Sequence, residues 1–290
     1  MARLLSSGAY IFFDSQRKLR NGWWIAIFFL VLAALLLPAL LFSRHSGVAL
    51  SPLYQGGLVL LASWLCQRLR HQPLSELVGM LNGRWLREFG LGGLLGTALM
   101  VLPAVLLWAG DWVTWRWNPS GLSTVAPSFV LFAGVALTEE LMFRGVLFQR
   151  LLAGLGSLPA QLLVAAYFLL IHSNNPGMHG GTKAVASVNI FLASILFGLA
   201  FLRTRSLAMP LGLHLMADFA QGGLLGLGVS GTSQQGLLQP VFHQAPTWVT
   251  GGLFGLEASV PGLGCLAVCV ALLHAWKPAP APPATPASET

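Results

Sequence analysis

Two glutamates and an arginine lie inside an otherwise apolar run, VALTEELMFRGVLF, at residues 135–148. An ionisable side chain inside a membrane-spanning helix costs about 2.5–3.5 kcal/mol on insertion scales, so it needs a partner or a function. Glu140 and Arg144 are four residues apart and can pair across one helical turn. Glu139 is rotated about 100° from Glu140 and has no cation nearby in sequence. We therefore predict that Glu139 faces a site as a general base, the alternative being structural pairing alone.

Two histidines and an aspartate occupy similar apolar surroundings further along the chain. His172 ends the run AAYFLLIH, and His214 and Asp218 lie four residues apart in MPLGLHLMADFA, hence on one helix face. Imidazole and carboxylate groups of this kind suit a site that activates water and stabilises an oxyanion, or a metal site. The structural alternative is a hydrogen bond between a buried histidine and an acid that only supports packing.

The composition places these groups in a membrane protein. Of 290 residues, 55% are hydrophobic and 9% are charged, and the mean hydropathy is +0.72. A soluble domain carries about 25% charged residues, so this chain does not build a water-exposed surface. Apolar runs of about 20 residues recur, which is the length that crosses a bilayer, and they lack the alternation of barrel strands. We predict an all-α, polytopic helical membrane protein.

About eight transmembrane helices are predicted, at residues 22–43, 48–66, 90–110, 127–149, 157–173, 186–202, 206–226 and 255–276. Basic residues concentrate on one side when the N-terminus is placed inside, which predicts a multi-pass protein of the cell (inner) membrane with both termini cytoplasmic. The net charge of +7 reflects this bias, so no nucleic-acid partner is predicted. Residues 72–89 are predicted to lie on the inner surface as a partly amphipathic piece.

The chain divides into three predicted regions. Residues 1–21 form a basic cytoplasmic N-terminus, 22–276 form one helical membrane domain, and 277–290 form a Pro/Ala-rich disordered tail. The sequence GGLLG occurs at 92–96 and at 222–226, where small residues predict close helix contacts.

The predicted depths of the candidate residues conflict with one another. Arg144 is predicted near the inner surface, which puts Glu139 and His214 shallow on that side. His172 comes out about 20 Å into the membrane if its helix begins at Ser157. A site requires these residues to converge, so that helix would have to start later or tilt strongly, or the predicted boundary is wrong.

Three motifs on three apolar segments resemble those of a known family. E-E-x-x-x-R, F-x-x-x-H and H-x-x-x-N/D stand here, in this order, as Glu139-Glu140-Leu141-Met142-Phe143-Arg144, Phe168-Leu169-Leu170-Ile171-His172 and His214-Leu215-Met216-Ala217-Asp218. This set resembles the CAAX prenyl protease and bacteriocin-processing (CPBP) family of intramembrane endopeptidases, also called the Abi family. The resemblance extends over residues 126–231.

The resemblance implies peptide-bond hydrolysis inside the membrane, in a membrane-associated or lipidated peptide or protein. Glu139 would activate water with the help of His172, and His214 with Asp218 would stabilise the tetrahedral oxyanion. The Glu140–Arg144 pair would hold the helix and position Glu139. The implied partners are therefore a peptide substrate and the lipid bilayer.

Asp218 departs from the pattern of many family members, which have asparagine at this position. An ionised aspartate would repel an oxyanion, so Asp218 would have to be protonated, bonded to His214 or bound to a cation. The resemblance implies that no cofactor is required. The alternative is a divalent metal such as zinc, held by Glu139, His172, His214 and Asp218.

Two other kinds of function fit parts of the sequence. A non-catalytic membrane immunity or scaffold protein, or a transporter with a proton relay, would also contain ionisable groups inside the membrane. The residues Gly228-Val229-Ser230-Gly231 resemble the GxSG motif of rhomboid serine proteases, with His274 as a candidate partner, but a Ser–His protease leaves the glutamate and the other histidines unexplained. The Gly-rich loop at 172–183 is predicted to be mobile and to gate substrate entry.

Overall fold

A computed structural model describes residues 9–277 of the chain. Helices form nearly all of its regular structure, so the predicted all-α class is confirmed. The predicted disordered tail lies outside the described residues except for Lys277, and so do the first eight residues of the predicted basic N-terminus.

The helices of the first half are α1 (Ala9–Phe12), α2 (Asn21–Ser46), α3 (Pro52–Leu69), α4 (Ser75–Val78), α5 (Gly83–Ala109) and α6 (Gly121–Glu140). Those of the second half are α7 (Phe148–Leu155), α8 (Ser157–His172), α9 (Gly180–Thr204), α10 (Ala208–Asp218), α11 (Thr247–Thr250) and α12 (Val260–Ala275). Two π-helical segments, Leu141–Leu147 and Phe219–Leu224, continue α6 and α10, and short 3₁₀ turns occupy Gly252–Phe254 and Leu256–Ala258. The strands are β1 (Val113–Trp117) and β2 (Leu238–Phe242).

Within residues 9–277, four helical runs are long and apolar enough to cross a membrane. They are α2, α5, α9 and the continuous run Gly121–Leu155, and α8 and α12 are shorter apolar helices. A multi-pass membrane protein is therefore supported, and each predicted spanning segment contains a helix. The number of eight crossings stays a prediction.

Residues 72–89 are divided between two helices instead of forming one piece, and their position on the inner surface stays a prediction. Their first part contains the single turn of α4, and their second part is the start of the long helix α5. The side chain of Asn82 accepts a hydrogen bond from the Trp85 backbone N–H at 3.1 Å and caps this helix. The cap explains why the helix starts at Gly83, seven residues before the predicted boundary.

A tryptophan-rich stretch forms a β-ribbon that the sequence analysis did not predict. Strand β1 pairs antiparallel with β2, with Val113 opposite Phe242. The Trp115 indole N–H donates to the Leu225 carbonyl at 3.0 Å and ties the ribbon to the end of the second π-helical segment. The sequence of β1, VTWRW, does alternate apolar and polar residues. Its partner β2, LQPVF, does not alternate and lies more than 100 residues away, so the pairing itself could not be predicted.

Glycines let α5 and α10 touch backbone to backbone. A Cβ added at Gly92 would lie 2.1 Å from the Met209 carbonyl oxygen, and one at Gly96 would lie 2.1 Å from the Leu213 carbonyl oxygen. The first GGLLG sequence thus makes the predicted small-residue contact. The second does not pair helices in the same way, because Gly226 has a positive φ of 66° at a turn.

Replacing Gly96 by alanine is expected to lower the free energy of unfolding by about 1–3 kcal/mol, since the added methyl group forces two backbones apart. Gly90→Ala is the matched control on the same helix, because a Cβ there has nothing within 4 Å. The control should be neutral or slightly stabilising through helix propensity. Thermal unfolding of the purified protein in detergent compares them, and equal effects of the two changes would refute the close contact.

Candidate active site

Both π-helical segments begin directly after predicted site residues. The segment Leu141–Leu147 follows Glu139 and Glu140, and it contains a non-helical residue, Gly145, with φ −73° and ψ −123°. The segment Phe219–Leu224 follows Asp218. Insertions of this kind are frequent at functional sites, because they re-aim the side chains of the adjoining turn.

A helical hairpin brings His172 to Glu139. Gly156, with a positive φ of 85°, separates α7 from α8, and the two residues lie almost equally far from it along the chain. The rings of Phe143 and Phe168 meet across the hairpin with centroids 4.9 Å apart. One turn further on, His172 Nε2 lies 3.7 Å from Glu139 Oε1.

Arg144 is the source of the predicted conflict in depth. Its side chain is 0% exposed and therefore enclosed by protein, and its depth in the membrane stays a prediction. The helix of His172 does begin at Ser157, and His172 lies at its other end, so the site lies away from the turn that joins α7 to α8. Thr138, beside the site, donates to the carbonyl of Pro52 at the start of α3 (2.9 Å). The membrane orientation stays a prediction, and Arg144, which is enclosed by protein, no longer counts among the basic residues that support it.

The hydrogen bonds of the two histidines fix which ring nitrogen faces the site. His172 Nδ1 lies 2.8 Å from the Phe168 carbonyl oxygen, which only accepts, so this nitrogen carries a proton. His214 Nδ1 donates to Glu140 Oε1 at 2.8 Å. These tautomers are assigned from the partners. Both Nε2 atoms therefore point to Glu139, at 3.7 and 3.8 Å from its carboxylate oxygens.

The four predicted site residues lie together in one cavity of about 490 Å³. Asp218 Oδ2 lies 3.5 Å from His214 Nε2, on the side of the ring away from Glu140. The Glu139 side chain is 20% exposed, whereas those of the two histidines and Asp218 are more deeply buried. Most other lining residues are apolar, among them Leu99, Phe132 and Leu266.

Arg144 and Glu140 form the predicted pair beneath the cavity. Arg144 Nη1 lies 3.4 Å from Glu140 Oε1, and both side chains are fully buried. Arg144 Nη2 donates to the Ser194 carbonyl at 3.0 Å and to the Ser194 hydroxyl at 2.8 Å. Three phenyl rings surround the guanidinium with centroids 5.0–5.7 Å from its carbon, those of Phe143, Phe168 and Phe197. Arg144 thus anchors Glu140, and Glu140 in turn orients His214.

Glu257 is a cavity residue that the sequence analysis missed. Its Oε2 accepts hydrogen bonds from the Ser230 backbone N–H at 2.8 Å and from the Ser230 hydroxyl at 3.0 Å. Asn175 donates to the Ser230 carbonyl at 3.2 Å and ties the loop after α8 to the same turn. The signal was present in the sequence, because Glu257 is an isolated charge in the apolar stretch GGLFGLEAS.

The Gly-rich loop predicted as a gate lies against this turn. Asn175 and Pro176 line the cavity, and a Cβ at Gly231 would lie 1.9 Å from the Pro176 carbonyl oxygen. Its role as a gate stays a prediction.

Ser230 and His274 do not form a catalytic pair. Ser230 is bonded to Glu257, which precedes α12, whereas His274 lies near the end of that helix. The length of α12 separates them by roughly 20 Å. The carbonyl of His274 instead accepts a hydrogen bond from Arg203.

The side chains do not form a metal site as they are arranged. Within residues 9–277, no group of three or more histidine, cysteine, aspartate or glutamate side chains has a geometry that could hold a metal ion. Of the four residues predicted as possible ligands, Glu139 approaches both histidines, while Asp218 approaches His214.

Comparison with known proteins bears on the same part of the chain. Residues 121–220 match a family model described as type II CAAX prenyl endopeptidase Rce1-like. No curated protein and no solved structure matches the chain. The matched segment contains all seven specified residues of the three motifs and the start of both π-helical segments. The match confirms, over these residues, the resemblance to CAAX prenyl proteases that the motifs predicted.

Proposed function

We propose that the protein is an intramembrane endopeptidase that hydrolyses a peptide bond of a membrane-associated or lipidated peptide or protein. Water activated by Glu139 would be the nucleophile. The observation that supports this proposal is the position of the Glu139 carboxylate, between the Nε2 atoms of His172 and His214 in a largely apolar cavity.

In the proposed reaction, Glu139 takes a proton from water as the water oxygen attacks the peptide carbonyl carbon. A doubly protonated His172 would hold the Glu139 carboxylate through its Nε2–H, since its Nδ1–H donates to the Phe168 carbonyl. The attack forms a tetrahedral intermediate with a negatively charged oxygen. Glu139 then returns the proton to the amide nitrogen, the C–N bond breaks, and a new carboxyl terminus and a new amine are released.

The charge on the intermediate would be stabilised by His214 and Asp218. With Nδ1 held by Glu140, a doubly protonated His214 donates to the oxyanion through Nε2. Asp218 in its protonated form would donate a second hydrogen bond, as a neutral carboxylic acid can in an apolar site. This reaction needs no metal ion.

Asp218→Asn is expected to keep the cleavage rate within about tenfold of the natural protein, because the amide remains a donor of similar shape. Asp218→Ala should lose about 10²–10³-fold, the cost of removing one oxyanion donor. Chelators should leave the natural protein active. Inactivity of Asp218→Asn together with chelator sensitivity would instead assign Asp218 to a metal.

The test of the proposed function compares peptide termini in membranes that contain the natural protein or Glu139→Ala at equal abundance. Termini that disappear in the variant establish proteolysis and identify substrates. His172→Ala and His214→Ala should remove the same termini. Identical termini with a retained cellular phenotype would favour a non-catalytic immunity or scaffold protein.

A further inference from the structure

A second cavity, of about 1250 Å³, lies at the basic end of the bundle and shares no lining residue with the candidate active site. Its walls come from the hooked segment at 10–20, the start of α2, the end of α3 and the helix α7. The hook is held in place by a hydrogen bond from the Trp23 indole to the Ile11 carbonyl at 2.9 Å, and by one from Arg20 to the Tyr10 carbonyl at 3.1 Å.

Two arginines in this cavity share one carboxylate. The side chains of Arg70 and Arg150 are each only 13% exposed, and they lie 3.4 and 3.6 Å from Glu76. The Nε of Arg150 is buried and has no hydrogen-bond partner among the described residues. Buried charges are normally paired, so two cations on one carboxylate leave one positive charge uncompensated.

The other charged groups at this cavity do not remove the surplus. Lys18 and Arg20 add two exposed positive charges. Asp14 is the acidic residue in the lining, and its Oδ1 accepts hydrogen bonds from the backbone N–H groups of Gln16 and Lys18, both at 2.9 Å. The cavity therefore carries a net positive charge suited to an anion.

The remaining walls indicate what kind of anion fits. Trp23 and Trp24 lie at the start of a predicted membrane span, where tryptophans mark the level of lipid headgroups. Ile25, Leu69 and Leu151 make part of the wall apolar. The volume is far larger than a free phosphate ion needs. Basic pockets between helices at a membrane face are known to take anionic headgroups.

We propose that this cavity binds the headgroup of an anionic phospholipid. The guanidinium groups of Arg70 and Arg150 contact the phosphate, for which the planar fork of arginine is well matched. The glycerol and the first carbons of the acyl chains pack on the apolar wall. The site tethers the N-terminal hook to α3 and α7 and does not depend on proteolysis.

Thermal unfolding of the full-length, delipidated protein in detergent tests this proposal. Short-chain phosphatidylglycerol is expected to raise the unfolding midpoint by about 4 °C relative to phosphatidylcholine of the same chain length. Inorganic phosphate at the same concentration and ionic strength should have little effect. If phosphatidylcholine raised the unfolding midpoint equally, the site would not recognise the negative charge. If inorganic phosphate raised it equally, the ligand would be the phosphate ion and not a lipid.

Single-residue variants distinguish binding in this cavity from a general attraction between anionic lipid and a positively charged surface. Arg150→Gln and Arg70→Gln are expected to abolish the difference between the two lipids. Arg68→Gln and Arg17→Gln are matched controls that remove a positive charge at the same end of the bundle without lining the cavity, and they should keep the difference. A loss as large in Arg68→Gln as in Arg150→Gln would overturn the proposal.

Lys18→Gln serves if the variants of Arg70 and Arg150 do not fold. Lys18 lines the cavity and is exposed, and the loss of its charge should weaken phosphatidylglycerol binding about fivefold, the contribution of one basic residue near a membrane surface. Native mass spectrometry counts the lipids that remain bound. Unchanged affinity in this variant would contradict the assigned site.

Discussion

Replacing Glu139 by glutamine is expected to lower the rate of peptide-bond cleavage by about 10²–10⁴-fold, the usual contribution of a general base. Glutamine has nearly the same size and keeps an oxygen that faces the two histidines, so the fold should be retained. The amide cannot take a proton from water, which is the step assigned to this carboxylate. The rate is measured with purified protein on a substrate identified from the lost peptide termini.

Glu257→Gln is the matched control for this result. Glu257 lines the same cavity, but one of its oxygens is held by both donors of Ser230, and the proposed reaction gives it no proton to transfer. The control should lose less than about tenfold in rate. If both variants lost cleavage rate equally, the negative charge of the cavity would matter and not a base at Glu139. Full activity of Glu139→Gln would refute the mechanism.

The local pairs of the site could be predicted from the sequence. The spacing of four residues put Glu140 beside Arg144 and His214 beside Asp218, and both pairs are present. Helical geometry alone fixes such contacts, and the apolar surroundings showed that the charges needed partners.

The contact that joins these pairs could not be predicted. The bond from His214 to Glu140 links residues 74 positions apart, and nothing in either helix reveals it. The family resemblance implied that Glu140 positions Glu139, whereas the nearest partner of Glu140 across the bundle is His214. Arg144 was placed at the inner surface for a related reason, since a basic residue at the end of an apolar run normally marks the interface. Here Ser194 and three phenyl rings enclose it.

Replacing Arg144 by methionine is expected to lower the free energy of unfolding by about 3–5 kcal/mol. Methionine fills much of the same volume among the phenyl rings, so the main cost is the charge of Glu140, which is fully buried and would lose its cation. Cleavage should fall as well, because Glu140 would no longer hold His214 in place. Thermal or denaturant unfolding in detergent gives the stability, and cleavage of the same substrate gives the activity.

The double variant Arg144→Met with Glu140→Gln distinguishes charge compensation from packing. With both charges removed, much of the lost stability should return, because a neutral amide can still accept the hydrogen bond from His214 and leaves no buried charge unpaired. Ser194→Ala is the control that removes one hydrogen bond from Arg144 but keeps both charges, and it should cost only about 1–3 kcal/mol. If the losses of stability in the two single variants, Arg144→Met and Glu140→Gln, add up to the loss in the double variant, Arg144 and Glu140 are not coupled. The chain of contacts from Arg144 through Glu140 to His214 would then not be what holds the proposed oxyanion donor in place.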